Sequence, residues 1–341
     1  PSAAPPVITV ALIPHGPRVD IERFTKLLYT PMCQWGTTGI ARAQDALKRP
    51  PGESLDETLA KLQRRYDRVI YQGMADGGEW SRCIVRQADL ILVVANAEDD
   101  PGLSDFEASA LFGEKPLSSA RVDLVLLHPD RKKAPQGTAR WLDLRKVHLH
   151  HHVALDAPSD FARLSRIITG NSINVVLSGG GVRGFAHVGV LRAMQEARVP
   201  VDMIGGTSIG GGIAAMRAMK LPTDEMVPKM QPFLRSIIDL TLPMLALFSG
   251  KKVTRAMRSI FGDQQIEDLW LNCYIISADL QRAEEVVHRR GPLWLALRAT
   301  GSVPGLMPPV ISDGRYLVDG GVLNNMPVDV MAGLHPGRII A

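Results

Sequence analysis

The stretch INVVLSGGGVRGFAHVG, residues 173–189, decides the fold. Its apolar run, Ile173 to Leu177, is short and rich in β-branched residues, the pattern of a strand buried on both faces. The glycines from Gly179 to Gly184 then make a turn. Beyond them Val188, Leu191 and Met194 recur on one helical face, so a helix is expected from about Gly184 to Glu196. The same order repeats at once. Val201 to Gly205 reads as a strand, Gly206-Thr207-Ser208-Ile209-Gly210 as a turn, and Ile209 to Met219 as a helix. Two strand–turn–helix units in succession predict an α/β sheet.

Both turns carry chemistry. The second fits G-x-S-x-G, which can hold a serine on a sharp strand-to-helix turn with its oxygen exposed. The first can offer backbone N–H groups to an oxyanion. Together they suggest a serine hydrolase. A rival reading exists, because Gly179, Gly181 and Gly184 also satisfy G-x-G-x-x-G, a dinucleotide fingerprint. Asp202 follows near the expected acidic position, but it starts its strand instead of ending it. No Gly-Lys-Ser/Thr phosphate loop is present. The nucleotide reading is therefore the minor one. Ser208 needs a base, since a free hydroxyl is a weak nucleophile. Asp319, in Val318-Asp319-Gly320-Gly321 after a short strand at Tyr316 to Val318, is the candidate. Spacing alone leaves open whether it meets Ser208 or only makes a turn.

Further strands are expected at Leu271 to Ser277 and Glu285 to His288. Towards the start of the chain, strand-like runs at Val7 to Ile13, Asp67 to Tyr71, Ala88 to Ala95 and Val122 to Leu127 alternate with helix-like runs at Ile21 to Leu28 and Ser54 to Arg65. This predicts a second α/β layer, with a domain boundary between residues 165 and 166. Residues 129–140, polar and basic, read as a solvated loop. His148, His150, His151 and His152 read as a solvated strand or loop, with metal binding the lesser alternative. The three cysteines, Cys33, Cys83 and Cys273, are too few and too scattered for a disulfide scaffold, which fits a reducing compartment. The net charge of +4 is too small to argue for nucleic acid. Pro1 to Pro6 lacks the basic region and apolar core of a signal peptide. No apolar run reaches the roughly 18 residues of a spanning helix. The opening without Met and the final Arg338 to Ala341, which reads as an interrupted strand, suggest a piece of a longer protein.

Residues 172–327 closely resemble the patatin-like phospholipase family, and within it the neuropathy target esterase branch of lysophospholipases. The resemblance rests on Ser178 to Gly189, Gly206 to Gly210, Asp319-Gly320-Gly321 and Arg298 to Pro309. Phe248-Ser249-Gly250 and Gln265 to Trp270 resemble the esterase branch more specifically. The amino-terminal part is similar to the region ahead of the catalytic domain in that branch, through Tyr66 to Gln72 and Trp80 to Asp89. More remotely it looks like a partitioning ATPase whose phosphate-loop lysine is absent, with His15-Gly16-Pro17 in the first turn.

The resemblance implies a three-layer αβα catalytic domain over residues 166–341. A smaller Rossmann-like α/β domain over 1–165, degenerate and non-hydrolysing, is expected ahead of it. It implies Ser208 as nucleophile, Asp319 as base and no metal or cofactor. Gly179, Gly180, Gly181 and Val182 would form the oxyanion hole. Gly206 and Gly210 would frame the nucleophile elbow, and Arg183 and Gly184 would support the loop or meet a phosphate. The family does not use His187 as a base, so that residue is expected to be structural. Met226 to Phe248 is apolar, and Phe233, Ile237, Met244 and Leu247, with Met307, are acyl-pocket candidates; buried core is the plainer reading. The implied substrate is a lysophospholipid or phospholipid. The implied setting is cytoplasmic and peripheral at a membrane face, with cyclic-nucleotide-binding-like domains upstream. A broader phospholipase A, a neutral-lipid esterase, and a non-catalytic lipid-binding or regulatory protein are the alternatives.

Overall fold

The computed structural model describes residues 9–48, 50, 52–236 and 247–341, with the backbone alone at 46, 47 and 232–236. The chain divides into two units, one ending at Asn171 and the other beginning at Ser172.

The first unit runs β1 (Thr9–Pro14), α1 (Ile21–Met32), β2 (Thr38–Arg42), α2 (Ala43–Leu47), α3 (Leu55–Arg65), β3 (Arg68–Gln72), α4 (Glu79–Gln87), β4 (Leu90–Asn96), β5 (Arg121–His128), α5 (Thr138–Leu142), β6 (His150–Ala154) and α6 (Pro158–Ile168). The strands form one parallel sheet in the order β2-β3-β1-β4-β5-β6. Alternate residues of the same strands feed two cores, as the period of two demands. Ala11, Ile13 and Val93 face Leu59 of α3 and Ile84 of α4. Val10, Leu12 and Val94 face Phe24 and Leu28 of α1 and Phe161 and Leu164 of α6. The sheet therefore lies between two helical layers. Local signals set the helix starts; Ser54 and Glu57 close a reciprocal capping box on α3.

The turn after β1, where a phosphate loop would lie, is filled by the unit's own side chains. His15 Nδ1 lies 2.6 Å from Glu107 Oε2, and Arg145 Nε donates to Glu107 Oε1 at 2.8 Å. Arg145 also stacks over the Trp141 ring. Burial alone would push the Glu107 carboxyl up. The hydrogen bonds from His15, Arg145 and the Ser104 N–H outweigh it and hold the value at about 2.

His151 and His152 of the histidine cluster are buried in β6 and not solvated, whereas His148 is exposed ahead of the strand and His150 is half-buried in it. His151 Nε2 lies 3.3 Å from Asp123 Oδ2, and His152 Nδ1 lies 3.0 Å from His128 Nε2. Burial pushes His151 below its usual value despite the neighbouring Asp123 carboxylate. The apolar body of imidazole lets such a residue sit in a packed strand once its nitrogens are partnered. Among the described residues, no group of His, Cys, Asp and Glu is arranged to hold a metal ion. The polar stretch 129–140 is also not loop throughout, since α5 begins at Thr138.

The second unit runs β7 (Ile173–Leu177), α7 (Ala186–Glu196), β8 (Met203–Thr207), α8 (Ile209–Ala218), α9 (Thr223–Ser236), α10 (Lys251–Phe261), β9 (Asn272–Asp279), β10 (Glu284–His288), α11 (Leu293–Thr300), β11 (Val310–Ser312), β12 (Arg315–Asp319), α12 (Val328–Leu334) and β13 (Arg338–Ile340). The sheet follows the path β11-β12-β9-β8-β7-β13, with β10 also on β9. Val188 and Leu191 of α7, Ile213 of α8, Met257 of α10 and Leu297 of α11 share one core with Val175, Leu177 and Ile275 of the sheet. Tyr274 points the other way, and its hydroxyl donates to the Pro327 carbonyl at the start of α12. The unit is thus a three-layer αβα sandwich, as expected.

The registers make one junction. β8 and β10 both pair with Ile275 and Ile276, so they lie on opposite edges of β9. β12 and β10 both pair with Ser277 to Asp279, so they too lie on opposite edges. Hence β8 and β12 share one edge of β9. β8 is parallel to β9 and ends at Thr207 against Ile276; β12 is antiparallel and ends at Asp319 against Ser277. Their carboxyl ends meet head to head.

Glu107→Ala leaves the Arg145 guanidinium buried without its carboxylate, so its urea midpoint should fall by the equivalent of about 3–5 kcal/mol. The folded value of Glu107 is depressed, so its contribution is complete above the ordinary value of 4.5 and disappears as pH falls towards about 2. The midpoint difference between wild type and variant should shrink over that window. A difference that does not change with pH would rule this account out.

Candidate active site

Ser208 is the residue at which β8 turns into α8. Its φ of 54° and ψ of −126° lie outside the regions open to ordinary residues, a conformation that costs about 1–3 kcal/mol and persists only where surroundings impose it. The turn is tight because Gly206 and Gly210 lack side chains. A Cβ on either would lie 2.4 or 2.3 Å from the Leu177 carbonyl oxygen. With both absent, α8 closes onto the end of β7.

The Ser208 hydroxyl donates to Asp319 Oδ2 at 2.7 Å. The other oxygen, Oδ1, accepts from the Gly321 N–H at 2.8 Å. Asp319 is only 6% exposed. Burial raises its pKa above the ordinary value of 3.8; the Ser208 hydroxyl and the Gly321 N–H pull the other way and offset only part of the rise. No cation is among the causes. The main-chain N–H groups of both residues are held by one segment: Ser208 N–H donates to Thr300 Oγ1 at 2.8 Å, and Asp319 N–H to the Ser302 carbonyl at 2.9 Å.

The glycine loop lies beside the serine. A Cβ on Gly179 would come within 3.1 Å of Ser208 Cβ. Asn325 clamps that glycine from both sides. It accepts the Gly179 N–H on its carbonyl at 3.1 Å and returns its side-chain amide to the Gly179 carbonyl at 3.3 Å. Gly179 therefore has no N–H left to give an oxyanion, which removes it from the donor set expected from sequence. Among the described residues, the N–H groups of Gly180, Gly181 and Val182 donate to no protein acceptor. Gly184 is buried against Ile209, and Arg183 is exposed at the loop surface. His187 donates from Nε2 to the Ser178 carbonyl at 3.0 Å, a brace between α7 and the end of β7.

A largely apolar cavity of about 200 Å³ opens at Ser208. Gly181, Val182, Met230, Phe248, Met257 and Met307 are among the residues that line it. Of the acyl-pocket candidates, Met307 lies in this wall. Leu247 does not: it is 40% exposed, and its neighbour Phe248 enters the cavity instead. Its N–H donates to the Gly305 carbonyl, which fixes the chain with that phase. Ile237, Met244 and the side chain of Phe233 lie outside the described residues. Met230 belongs to the apolar stretch Met226 to Phe248 read as a candidate acyl channel; Thr300, Asn325 and Met257 were not singled out in the sequence, and Thr300 is marked only by lying within Arg298 to Pro309.

Residues 175–332 match the patatin-like phospholipase model, and residues 7–159 match the Neuropathy Target Esterase family P-loop like domain. The chain is 35% identical to neuropathy target esterase sws of Drosophila melanogaster, over 98% of its own length and 26% of the relative's. It is 34% identical to human patatin-like phospholipase domain-containing protein 6, over 98% of this chain and 27% of the relative, and 33% identical to the Caenorhabditis elegans protein ZK370.4 of the same description, over 98% and 29%. The chain thus spans about a quarter of the length of these relatives. It belongs to the patatin-like phospholipase family, with a neuropathy target esterase family P-loop like domain ahead of the phospholipase domain.

Proposed function

We propose that the chain hydrolyses fatty-acyl esters of lysophospholipids, with Ser208 as nucleophile and Asp319 as its base. The observation that carries this reading is the 2.7 Å hydrogen bond from Ser208 Oγ to Asp319 at the mouth of an apolar cavity. The relatives named as phospholipase-domain proteins and esterases support a lipid ester as substrate. In this scheme the acyl chain lies along Met230, Phe248 and Met307, and Ser208 Oγ attacks the ester carbonyl while its proton passes to Asp319. The N–H groups of Gly180, Gly181 and Val182 stabilise the oxyanion; removing one such donor typically costs about 10²–10³ in kcat. Asp319 returns the proton to the departing glycerol oxygen. Water, giving a proton to Asp319, then attacks the acyl carbonyl, and Asp319 passes that proton to the departing Ser208 Oγ as the fatty acid is released.

The setting of the cavity supports work at a lipid surface. Val182 is 72% exposed although it lines the cavity, and Leu306, also in the wall, is 43% exposed. Val322 and Leu323, just beyond Asp319, are exposed too. An enzyme that only met dissolved esters would gain nothing from such a rim. Among the described residues, no helix is long and apolar enough to cross a membrane.

Fatty-acid release from lysophosphatidylcholine should fall by roughly 10⁴-fold in Ser208→Ala and in Asp319→Asn. Turnover retained in either variant would remove that residue from the mechanism, and faster turnover of diacyl phosphatidylcholine would move the substrate towards a broader phospholipase A. Asp319 works ionised, so kcat/KM should fall with decreasing pH along a limb lying above the ordinary aspartate value of 3.8. The same raised value means that ionising Asp319 costs folding stability as pH climbs through it. Asp319→Asn should therefore melt higher than wild type at neutral pH, and a lower melting temperature would contradict the burial argument. At the rim, Leu323→Asp should weaken sedimentation with phosphatidylcholine vesicles and slow hydrolysis of vesicle lipid, leaving a soluble short-chain ester unaffected. Equal sedimentation of wild type and variant would discard the interfacial role.

A further inference from the structure

We propose that Thr300 is a positioning residue for the nucleophile, acting through the backbone of Ser208. This rests on the reading of Ser208 and Asp319 given above and adds what holds them in register. The positive φ of Ser208 turns its N–H out of the start of α8, where the first N–H groups of a helix have no partner of their own. The acceptor it meets is the Thr300 hydroxyl at 2.8 Å. That hydroxyl passes its own proton on to the carbonyl of Ile276. Thr300 is 1% exposed, so water cannot replace either bond.

The place of the contact gives it meaning. Ile276 is the β9 residue against which β8 ends, one position before the Ser277 that pairs with Asp319. Two residues past Thr300, the Ser302 carbonyl takes the Asp319 N–H at 2.9 Å. The end of α11 thus grips both strand ends by their main chains, across the junction where they meet. Arg298 secures that turn, through Thr254 Oγ1, Ser302 Oγ and the Pro308 carbonyl. The Thr300 hydroxyl contributes nothing to the acyl cavity wall. Its effect is on where Ser208 Oγ stands relative to Asp319 and the glycine loop. A side chain that only filled space could be valine, which has the same shape and no hydrogen bonds.

The test compares wild type, Thr300→Val, Thr300→Ser and Ser208→Ala in the full chain, with kcat and KM measured on a soluble short-chain ester. The rate of Ser208 labelling by a fluorophosphonate gives a second readout. Thr300→Val should lower kcat and the labelling rate by about 10²-fold, the scale of a 1 Å misplacement, with KM little changed. Thr300→Ser should restore most of both. Should the valine variant fail to fold, Thr300→Cys keeps the volume with a poorer hydrogen-bonding group and serves the same comparison. Wild-type kcat in the valine or cysteine variant would overturn the proposal, as would a serine variant no better than valine, or a loss confined to KM. Turnover retained by Ser208→Ala would instead defeat the nucleophile assignment itself, whatever Thr300 does.

Discussion

The second unit depends on two strands ending head to head against one edge of β9. A parallel strand, β8, and an antiparallel one, β12, arrive from opposite directions and stop at adjacent register positions. Each must leave the sheet there, and Ser208 and Asp319 stand at the two departures. The serine and the carboxylate are neighbours because backbone hydrogen bonding puts two carboxyl termini in one place. Glycines follow from this constraint. Gly206 and Gly210 let the chain leave β8 without striking Leu177, and a Cβ on Gly320 would lie 2.5 Å from the Ile276 carbonyl oxygen.

Two buried acids, one in each unit, show how environment assigns a carboxylate its task. Glu107 is fully buried, yet it is held strongly acidic by an arginine, a histidine and a backbone N–H. Its hydrogen-bonding capacity is filled by its own unit, and it is a structural tie. Asp319 is nearly as buried, but faces a hydroxyl and one N–H, and its value rises. A carboxylate with weak partners keeps an appetite for a proton. Burial raises that appetite by disfavouring the charged form, whereas an adjacent cation would have removed it.

Much of this was legible in the chain itself. Apolar runs closed by glycine mark β7 and β8, and the same glycines frame Ser208, so fold and candidate nucleophile were read together. Asp319 came with its two following glycines. Thr300 and Asn325 were opaque for a physical reason: threonine and asparagine are ordinary turn and helix-end residues, and their partners lie 92 and 146 residues away. β6 was misread because histidine counts as polar in any pattern, while Asp123 and His128, which partner its ring nitrogens, lie on β5. The exchange of Leu247 for Phe248 is a shift of one residue in a stretch outside regular structure, where no period selects which side chain points inward.

The clamp between Gly179 and Asn325 bears on how the protein is made. Ser208 and its carboxylate partner are 111 residues apart, and the loop beside the serine is tied to a residue 146 positions downstream. A ribosome releases the glycine loop and the serine well before either tether exists, at about 5–20 residues per second. For several seconds the growing chain carries Ser208 without Asp319 and the glycine loop without Asn325. The Ser208–Asp319 contact and the glycine-loop clamp are thereby postponed until nearly the whole second unit has left the ribosome, a delay written into chain order.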